Sequence, residues 1–333
     1  MRLLILGGTA WLGGLLAAAA SERGHRTTCL ARGRAGAAPA GARFVEADRD
    51  RQEAYDEVAG EKWDAVIDVS RQPGHVRRAV EALSACSASY LFVSSASVYA
   101  DHGTPGQAED APLLAALDGD VMESMETYGQ AKVACEEHVL ATFGSDRSLI
   151  ARAGLIGGPG DTTDRTGYWP WRFANPAADD GSVLVPDMPQ LLTQVIDVRD
   201  LATWLVESAV AGRHGTFNAT GEAVPLPRHL VAARTVAGHV GPVVAAPQEW
   251  LLDQGVEPWM GERSLPLWLP LPDYAGFCAR DSNEARAAGL VTRPLEETLA
   301  DTLAWERTRK PGRRRQAGLS DADERSLLAM TTR

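Results

Sequence analysis

Tyr128 and Lys132 stand four residues apart in the run Tyr128-Gly129-Gln130-Ala131-Lys132, in a chain with three lysines and six tyrosines. Val133 to Leu140 continues as helix-forming sequence, and a spacing of four sets both side chains on one helix face. An ammonium held beside a phenol favours the phenolate, and such a phenol can give and take a proton near neutral pH. The same pair on a solvated helix would be incidental, so its meaning depends on what else the chain brings to it.

A second feature supplies that. Arg2 to Leu6 is a short apolar run of buried-strand type, followed by Gly7-Gly8-Thr9-Ala10-Trp11-Leu12-Gly13 and by helix-forming Ala17 to Glu22. Strand, glycine turn and helix present free backbone N–H groups and a helix N-terminus to a pyrophosphate. Gly7 would let the chain turn, Gly8 would admit a ligand closely, and Gly13 would let the helix pack on the sheet. The opening also resembles a secretory signal, with one arginine, an apolar stretch and Ala17-Ala18-Ala19-Ala20-Ser21. Glycines interrupt its apolar core and strand sequence resumes at Arg26 to Leu30, so a cytoplasmic protein is expected.

The remaining elements alternate. Strands are expected at Leu3–Leu6, Thr27–Leu30, Arg43–Val45, Ala65–Val69, Tyr90–Ser94 and Ser148–Arg152. Helices are expected at Trp11–Arg23, Arg51–Val58, His75–Ala85 and Ser124–Phe143. Such alternation implies an α/β fold, a Rossmann-type doubly wound parallel sheet that binds ligands outside the strand carboxyl ends. Gln194–Ile196, a helix at Arg199–Ala211 and Gly215–Asn218 read as a return to that sheet. The expected division is a dinucleotide-binding domain at 1–155 and 192–219, and a smaller substrate-binding lobe at 156–191 and 220–305. Residues 306–333 read as a basic linker and a C-terminal helix capped near Ser320. Trp250, Trp259 and Trp268 in the lobe fit core packing or a pocket lining.

Composition narrows the function. A net charge of −11 argues against nucleic-acid binding. Cys29, Cys86, Cys135 and Cys278 are widely spaced and form no metal or redox motif, as in a reducing compartment. No stretch is long and apolar enough to cross a membrane as a helix. The expected partner is a small molecule, and a homodimer is compatible with the sequence.

The ordered motifs, taken together, resemble the extended or atypical short-chain dehydrogenase/reductases, the NAD-dependent epimerase/dehydratase family. They are the glycine turn, Val93-Ser94-Ser95-Ala96-Ser97-Val98-Tyr99, Glu109-Asp110-Ala111-Pro112, the Tyr128/Lys132 pair, and Gln194-Val195-Ile196-Asp197-Val198-Arg199-Asp200. The resemblance covers residues 1–305. It implies that Tyr128 is the catalytic acid-base, that Lys132 favours its phenolate and hydrogen-bonds the nicotinamide ribose, and that Ser95 orients the substrate oxygen, with Ser94 and Ser97 as its neighbours. It also implies that Gly7, Thr9, Ala10, Trp11, Leu12 and Gly13 hold the pyrophosphate and that Asp48 contacts the adenine amine.

Two departures matter. Ala10 replaces the middle glycine of the usual pattern. At the end of the second strand, Ala31 stands where an acid usually meets the adenosine ribose hydroxyls. Without that acid nothing repels a 2′-phosphate, and Arg32 with Arg34 could pair with one. NADP(H) is therefore the expected cofactor, with NAD(H) as the alternative. The expected activity is oxidoreduction between a ketone and a secondary alcohol on a small oxygenated metabolite. A nucleotide-sugar epimerase or dehydratase is the alternative, and Glu123 or Glu126 could supply a dehydratase's extra acid-base group. Arg152, Arg165, Arg172, Arg280 and Arg293 are too scattered in sequence to read as a diphosphate site. A dinucleotide-binding or RNA-associated protein without turnover is a third reading.

Overall fold

The computed structural model describes every residue except Pro311, Thr332 and Arg333. Its first half alternates as the sequence does: β1 (Arg2–Leu6), α1 (Trp11–Glu22), β2 (Arg26–Ala31), β3 (Arg43–Glu46), α2 (Asp56–Ala59), β4 (Trp63–Asp68), α3 (Pro73–Leu83), β5 (Ser87–Ser95), α4 (Tyr128–Phe143) and β6 (Ser148–Ala153). Each expected strand forms. The helix expected from Arg51 divides into a 3-10 turn, Gln52–Tyr55, and the single turn of α2. The helix expected from Ser124 begins later, because Met125–Thr127 is a 3-10 turn that delivers Tyr128 to the first position of α4.

Beyond β6 come β7 (Leu155–Gly157), α5 (Tyr168–Ala174), β8 (Val183–Pro186), β9 (Leu192–Asp197), α6 (Val198–Val210) and β10 (Gly215–Ala219). The central sheet is seven-stranded and parallel, in the order β10-β6-β5-β4-β1-β2-β3. β9 differs from expectation. It does not return to this sheet but lies between β7 and β11 (Ala223–Pro225) in a three-stranded one, and only β10 rejoins the main sheet.

Strand β1 shows why the sheet is central. Leu3, Leu4, Ile5 and Leu6 are all fully buried. Leu3 and Ile5 pack with α1 and α6 on one face, and Leu4 and Leu6 with α3 and α4 on the other. Side chains alternate along a strand, so covering both faces requires this unbroken apolar run.

The rest of the chain holds β11 (Ala223–Pro225), α7 (Leu226–Ala237), β12 (Val243–Ala246), α8 (Gln248–Asp253), β13 (Glu257–Pro258), β14 (Ser264–Leu265), α9 (Asn283–Ala287), α10 (Leu295–Glu306) and α11 (Asp321–Thr331). Much of it surrounds its own apolar core, which includes Trp169, Trp268, Leu265 and Leu327. Ser320 Oγ accepts the Asp323 amide at 3.1 Å and caps α11 as expected. The basic run before α11 is not the solvated linker its composition suggests. Arg309, Arg313 and Arg315 fold back onto the buried carboxylates of Asp164 and Glu306. No helix among the described residues is long and apolar enough to cross a membrane.

Candidate active site

A cleft of about 680 Å³ opens at the carboxyl ends of β1, β2 and β4, lined by Gly7, Thr9, Ala10, Arg32, Arg34 and Ser70 among others. Sheet order reverses between β1 and β4, so this is the switch point where doubly wound sheets bind ligands. Gly7 turns the chain at a φ of +92°, which favours glycine. A Cβ on Gly13 would sit 2.1 Å from the Gly7 carbonyl oxygen, so that glycine seats α1 on the turn. Gly8 has a different role from the expected one. A Cβ there would lie 2.6 Å from Cys29 Sγ, so its bareness serves packing on β2. The first turn of α1 carries no acid, which leaves its amides and the helix dipole available to a pyrophosphate.

The other members of the motif face elsewhere. Trp11 Nε1 donates to the Pro159 carbonyl at 2.8 Å, and the Leu12 side chain lies in the core. Asp48 lies in an adjoining groove with Arg51 and Glu53, not among the residues lining the main cleft. The cleft receives Arg49 and Asp50 from that segment instead. Arg49 grips Asp68 with two hydrogen bonds of 2.8 and 2.7 Å, and Tyr90 donates to the same carboxylate at 2.6 Å. Burial opposes the charge on Asp68, yet Arg49 and Tyr90 hold its carboxyl below the usual range. This network escaped the sequence reading because a buried ion pair leaves no periodic signal.

Tyr128 opens α4 half-buried, with Lys132 one turn later and buried. Lys132 Nζ donates to the carbonyls of Ser70 and Val93, both at 2.6 Å, and lies 4.4 Å from the centroid of the Phe92 ring. Its ammonium is thus fixed between the cleft wall and the end of β5. The three serines separate clearly. Ser94 is buried and donates to Glu136, while Ser95 and Ser97 are half-buried and hydrogen-bond each other at 3.2 Å. At the start of α4 the backbone packs closely on the Ser97 segment, since a Cβ on Gly129 would fall 2.3 Å from the Ser97 carbonyl oxygen. Glu123 and Glu126 are exposed.

The five arginines scattered in sequence also sort themselves. Arg152 pairs with Glu136 at 2.9 Å, Arg172 with Glu324 at 2.8 Å, and Arg293 with Asp200 at 2.7 Å. Among the described residues, Arg165 and Arg280 have no carboxylate oxygen within 4.0 Å. Arg165 lies 5.1 Å from the Trp259 ring centroid and within electrostatic reach of Tyr128. Of the three lobe tryptophans, Trp259 therefore faces the site, and Trp268 is core.

The sequence profile of the NAD dependent epimerase/dehydratase family matches residues 3–219, more than half of the chain. No curated protein matches the sequence. Solved structures share the fold at low identity. A putative epimerase from Burkholderia cenocepacia J2315 is 20% identical with a TM-score of 0.70, covering 92% of this chain and 98% of its own. UDP-N-acetylglucosamine 4-epimerase from Bacillus cereus is 14% identical with a TM-score of 0.68, covering 95% and 99%. The Bordetella bronchiseptica enzyme WbmH, solved in complex with NAD+, is 15% identical with a TM-score of 0.68, covering 92% and 98%. The chain belongs to the NAD dependent epimerase/dehydratase family and is an enzyme of the extended short-chain dehydrogenase/reductase type.

Proposed function

We propose that this protein is an NADP(H)-dependent oxidoreductase that interconverts a ketone and a secondary alcohol on a small oxygenated metabolite. The observation that supports this reading is the close packing of Gly129, next to Tyr128 at the start of α4, on the Ser97 backbone, in the segment that carries the half-buried Ser95 and Ser97. When bound, a reduced nicotinamide supplies the hydride. Tyr128 gives the proton to the carbonyl oxygen in reduction and takes it back in oxidation. The Ser95 hydroxyl donates to a ketone oxygen or accepts from an alcohol. Lys132, bonded to the Ser70 carbonyl of the cleft wall, is the cation that would favour the phenolate left after proton transfer. Arg32 and Arg34 line the cleft, no acid ends β2, and this charge pattern supports the 2′-phosphorylated cofactor.

One observation favours a second reading. Arg165 and Arg280 lack carboxylate partners, and a nucleotide-sugar diphosphate would suit such arginines. A structural neighbour is a UDP-sugar epimerase. Epimerisation returns the hydride to the same substrate, whereas reduction consumes cofactor. The test incubates the protein with NADPH and a panel of ketones, and separately with UDP-sugars and catalytic NAD+. Loss of reduced-nicotinamide absorbance in step with alcohol formation is expected. Product in large excess over added cofactor, without absorbance change, would replace the reductase by the epimerase.

A further inference from the structure

We propose that Gln72 is a positioning residue for the reaction: it latches the arm of residues 118–127 to the wall of the dinucleotide cleft, so that filling the cleft also steadies Tyr128. This inference rests on the placement of the reaction at Tyr128.

One short length of chain touches both the cleft and the start of α4. The arm turns at Gly119, where φ is +109°, and its next two residues, Asp120 and Val121, line the cleft with Ser70, Gln72 and His75. It ends in the 3-10 turn Met125–Thr127, which runs directly into Tyr128. Val121 is 64% exposed, so a ligand that fills the cleft gains apolar contact by covering it. Among the described residues, the hydrogen bonds of residues 123–127 stay within the arm and its junction with α4. The path of the arm towards Tyr128 is therefore set at its cleft end.

That end is fastened to α3 and to the loop before it. Gln72 Oε1 accepts the Met122 amide at 2.7 Å, and Gln72 Nε2 donates to the Met122 carbonyl at 3.3 Å. A side-chain amide carries both a donor and an acceptor, so one residue satisfies both backbone groups of Met122. The Gly74 amide, one of the first in α3 and without a partner inside the helix, donates to the Asp120 carbonyl at 2.9 Å. Gly74 leaves no room for a side chain, since a Cβ there would lie 2.7 Å from Asp120 Cβ and 3.1 Å from the Asp120 carbonyl oxygen. Arg77 donates to the Asp120 carboxylate at 3.1 and 2.7 Å, but this pair is partly exposed and contributes little. Gln72 stands two residues beyond Ser70, whose carbonyl receives Lys132 Nζ at 2.6 Å. The loop after β4 thus holds the chain on both sides of Tyr128, at Met122 before it and at Lys132 after it.

The test reads the arm directly. Glu123 and Glu126 are exposed, so the full chain is digested briefly with a glutamyl endopeptidase, and mass spectrometry follows cleavage after these two residues. The digestion is run without cofactor, with saturating NADP+ and with saturating NAD+. In the parent, the cofactor that binds should slow both cuts. Gln72→Ala should lose this protection. It should also lower kcat at saturating cofactor about tenfold, as for two lost hydrogen bonds, on the ketone or UDP-sugar that the parent accepts. Gln72→Glu still accepts the Met122 amide and should recover part of both losses. Gly74→Ala is the second variant. It keeps Gln72 and favours the helix start, yet it pushes Asp120 off α3, so it should reproduce Gln72→Ala without loss of helix content. Cuts that cofactor does not slow in the parent, or protection and kcat unchanged in Gln72→Ala, overturn the proposal, even if that variant melts at a lower temperature. Tyr128→Phe keeps the two ideas apart, because it should retain protection and lose turnover. Full turnover in Tyr128→Phe would remove the assigned reaction, whereas unprotected cuts in a parent that depends on Tyr128 would remove only the latch.

Discussion

Lys132 Nζ lies 2.6 Å from the carbonyl oxygen of Ser70, a bond that ties the catalytic helix α4 to the loop after β4 that walls the cofactor cleft. The lysine proposed to favour the Tyr128 phenolate is therefore also bonded to the wall of the cleft. Lys132→Met keeps the aliphatic stem but removes both carbonyl contacts. It should weaken cofactor binding at least about tenfold, as expected for lost charge-assisted hydrogen bonds, and move the basic limb of the pH–rate profile upward. Fluorescence titration and a pH series measure the two effects. If neither changes, Lys132 is only a structural lysine.

Tyr128→Phe deletes one oxygen from a half-buried side chain, so the fold and cofactor binding should survive. Turnover should fall at least about a hundredfold, the usual scale for general acid-base catalysis. Activity within a few-fold of the parent would take the phenol out of the mechanism.

The proposed cofactor preference can be tested at Arg32. It is exposed on the cleft wall just past Ala31 and, among the described residues, makes no ion pair shorter than 4.0 Å. A charge-assisted contact to a 2′-phosphate contributes about 1.5–3 kcal/mol. Arg32→Ala should thus lower NADP(H) affinity roughly tenfold to a hundredfold and leave NAD(H) affinity nearly unchanged. Equal loss for both cofactors, measured by equilibrium titration, would show that Arg32 does not read the phosphate.

The frame of the site was legible because it is local. Continuous apolar residues from Leu3 to Leu6, a glycine turn and a helix start determine β1, the cleft and α1 within thirteen residues. The Tyr128/Lys132 spacing is likewise a property of one helix. What was not legible depends on long-range contacts. Ser94 cannot be told from Ser95 until Glu136, 42 residues away, claims it. Asp48 stays outside the main cleft and Arg49 lines it, where Asp68 draws the guanidinium inward. β9 resembles any sheet strand, and its partners β7 and β11 alone decide which sheet it joins. That Arg165 and Arg280 lack acids is visible only once Arg152, Arg172 and Arg293 are seen to have them.

His229 gives the fold a pH dependence. It is fully buried on α7, with Nδ1 3.2 Å from Thr193 Oγ1 and, among the described residues, no partner for Nε2, and burial lowers it from 6.5 to about 4. Between these values the unfolded chain binds the extra proton and the folded chain does not. Stability is therefore complete above about 6.5 and falls as the pH drops towards 4. At pH 5 the loss from this one group is about 2 kcal/mol. Carboxylates held low, such as Asp68, add losses only below about 3.8. Urea denaturation at pH 7.5 and pH 5 should show the difference in the parent and a smaller one in His229→Gln. An equal difference in both would place the titrating group elsewhere.

Asp164 should be a main anchor of the C-terminal segment. It is fully buried at a φ of +65°, a conformation that Asp and Asn tolerate better than most residues. Arg309 and Arg313 each donate to it at 2.9 Å and the Gln316 amide at 2.8 Å, while Arg315 donates to the neighbouring Glu306 at 2.9 Å. Burial alone would raise its carboxyl, but these donors hold it below the usual range. Asp164→Ala removes the charge, the acceptors and the favourable backbone residue together, and should cost about 3–5 kcal/mol, as for breaking a buried ion pair. Asp164→Asn keeps one acceptor and the backbone tolerance, so it should cost less. Arg313→Ala should cost least, about 1.5–3 kcal/mol, because Arg309 and Arg315 still face the cluster. Denaturation of the same three variants checks this order, and an Asp164→Ala protein as stable as the parent would show that the arginine run does not anchor there.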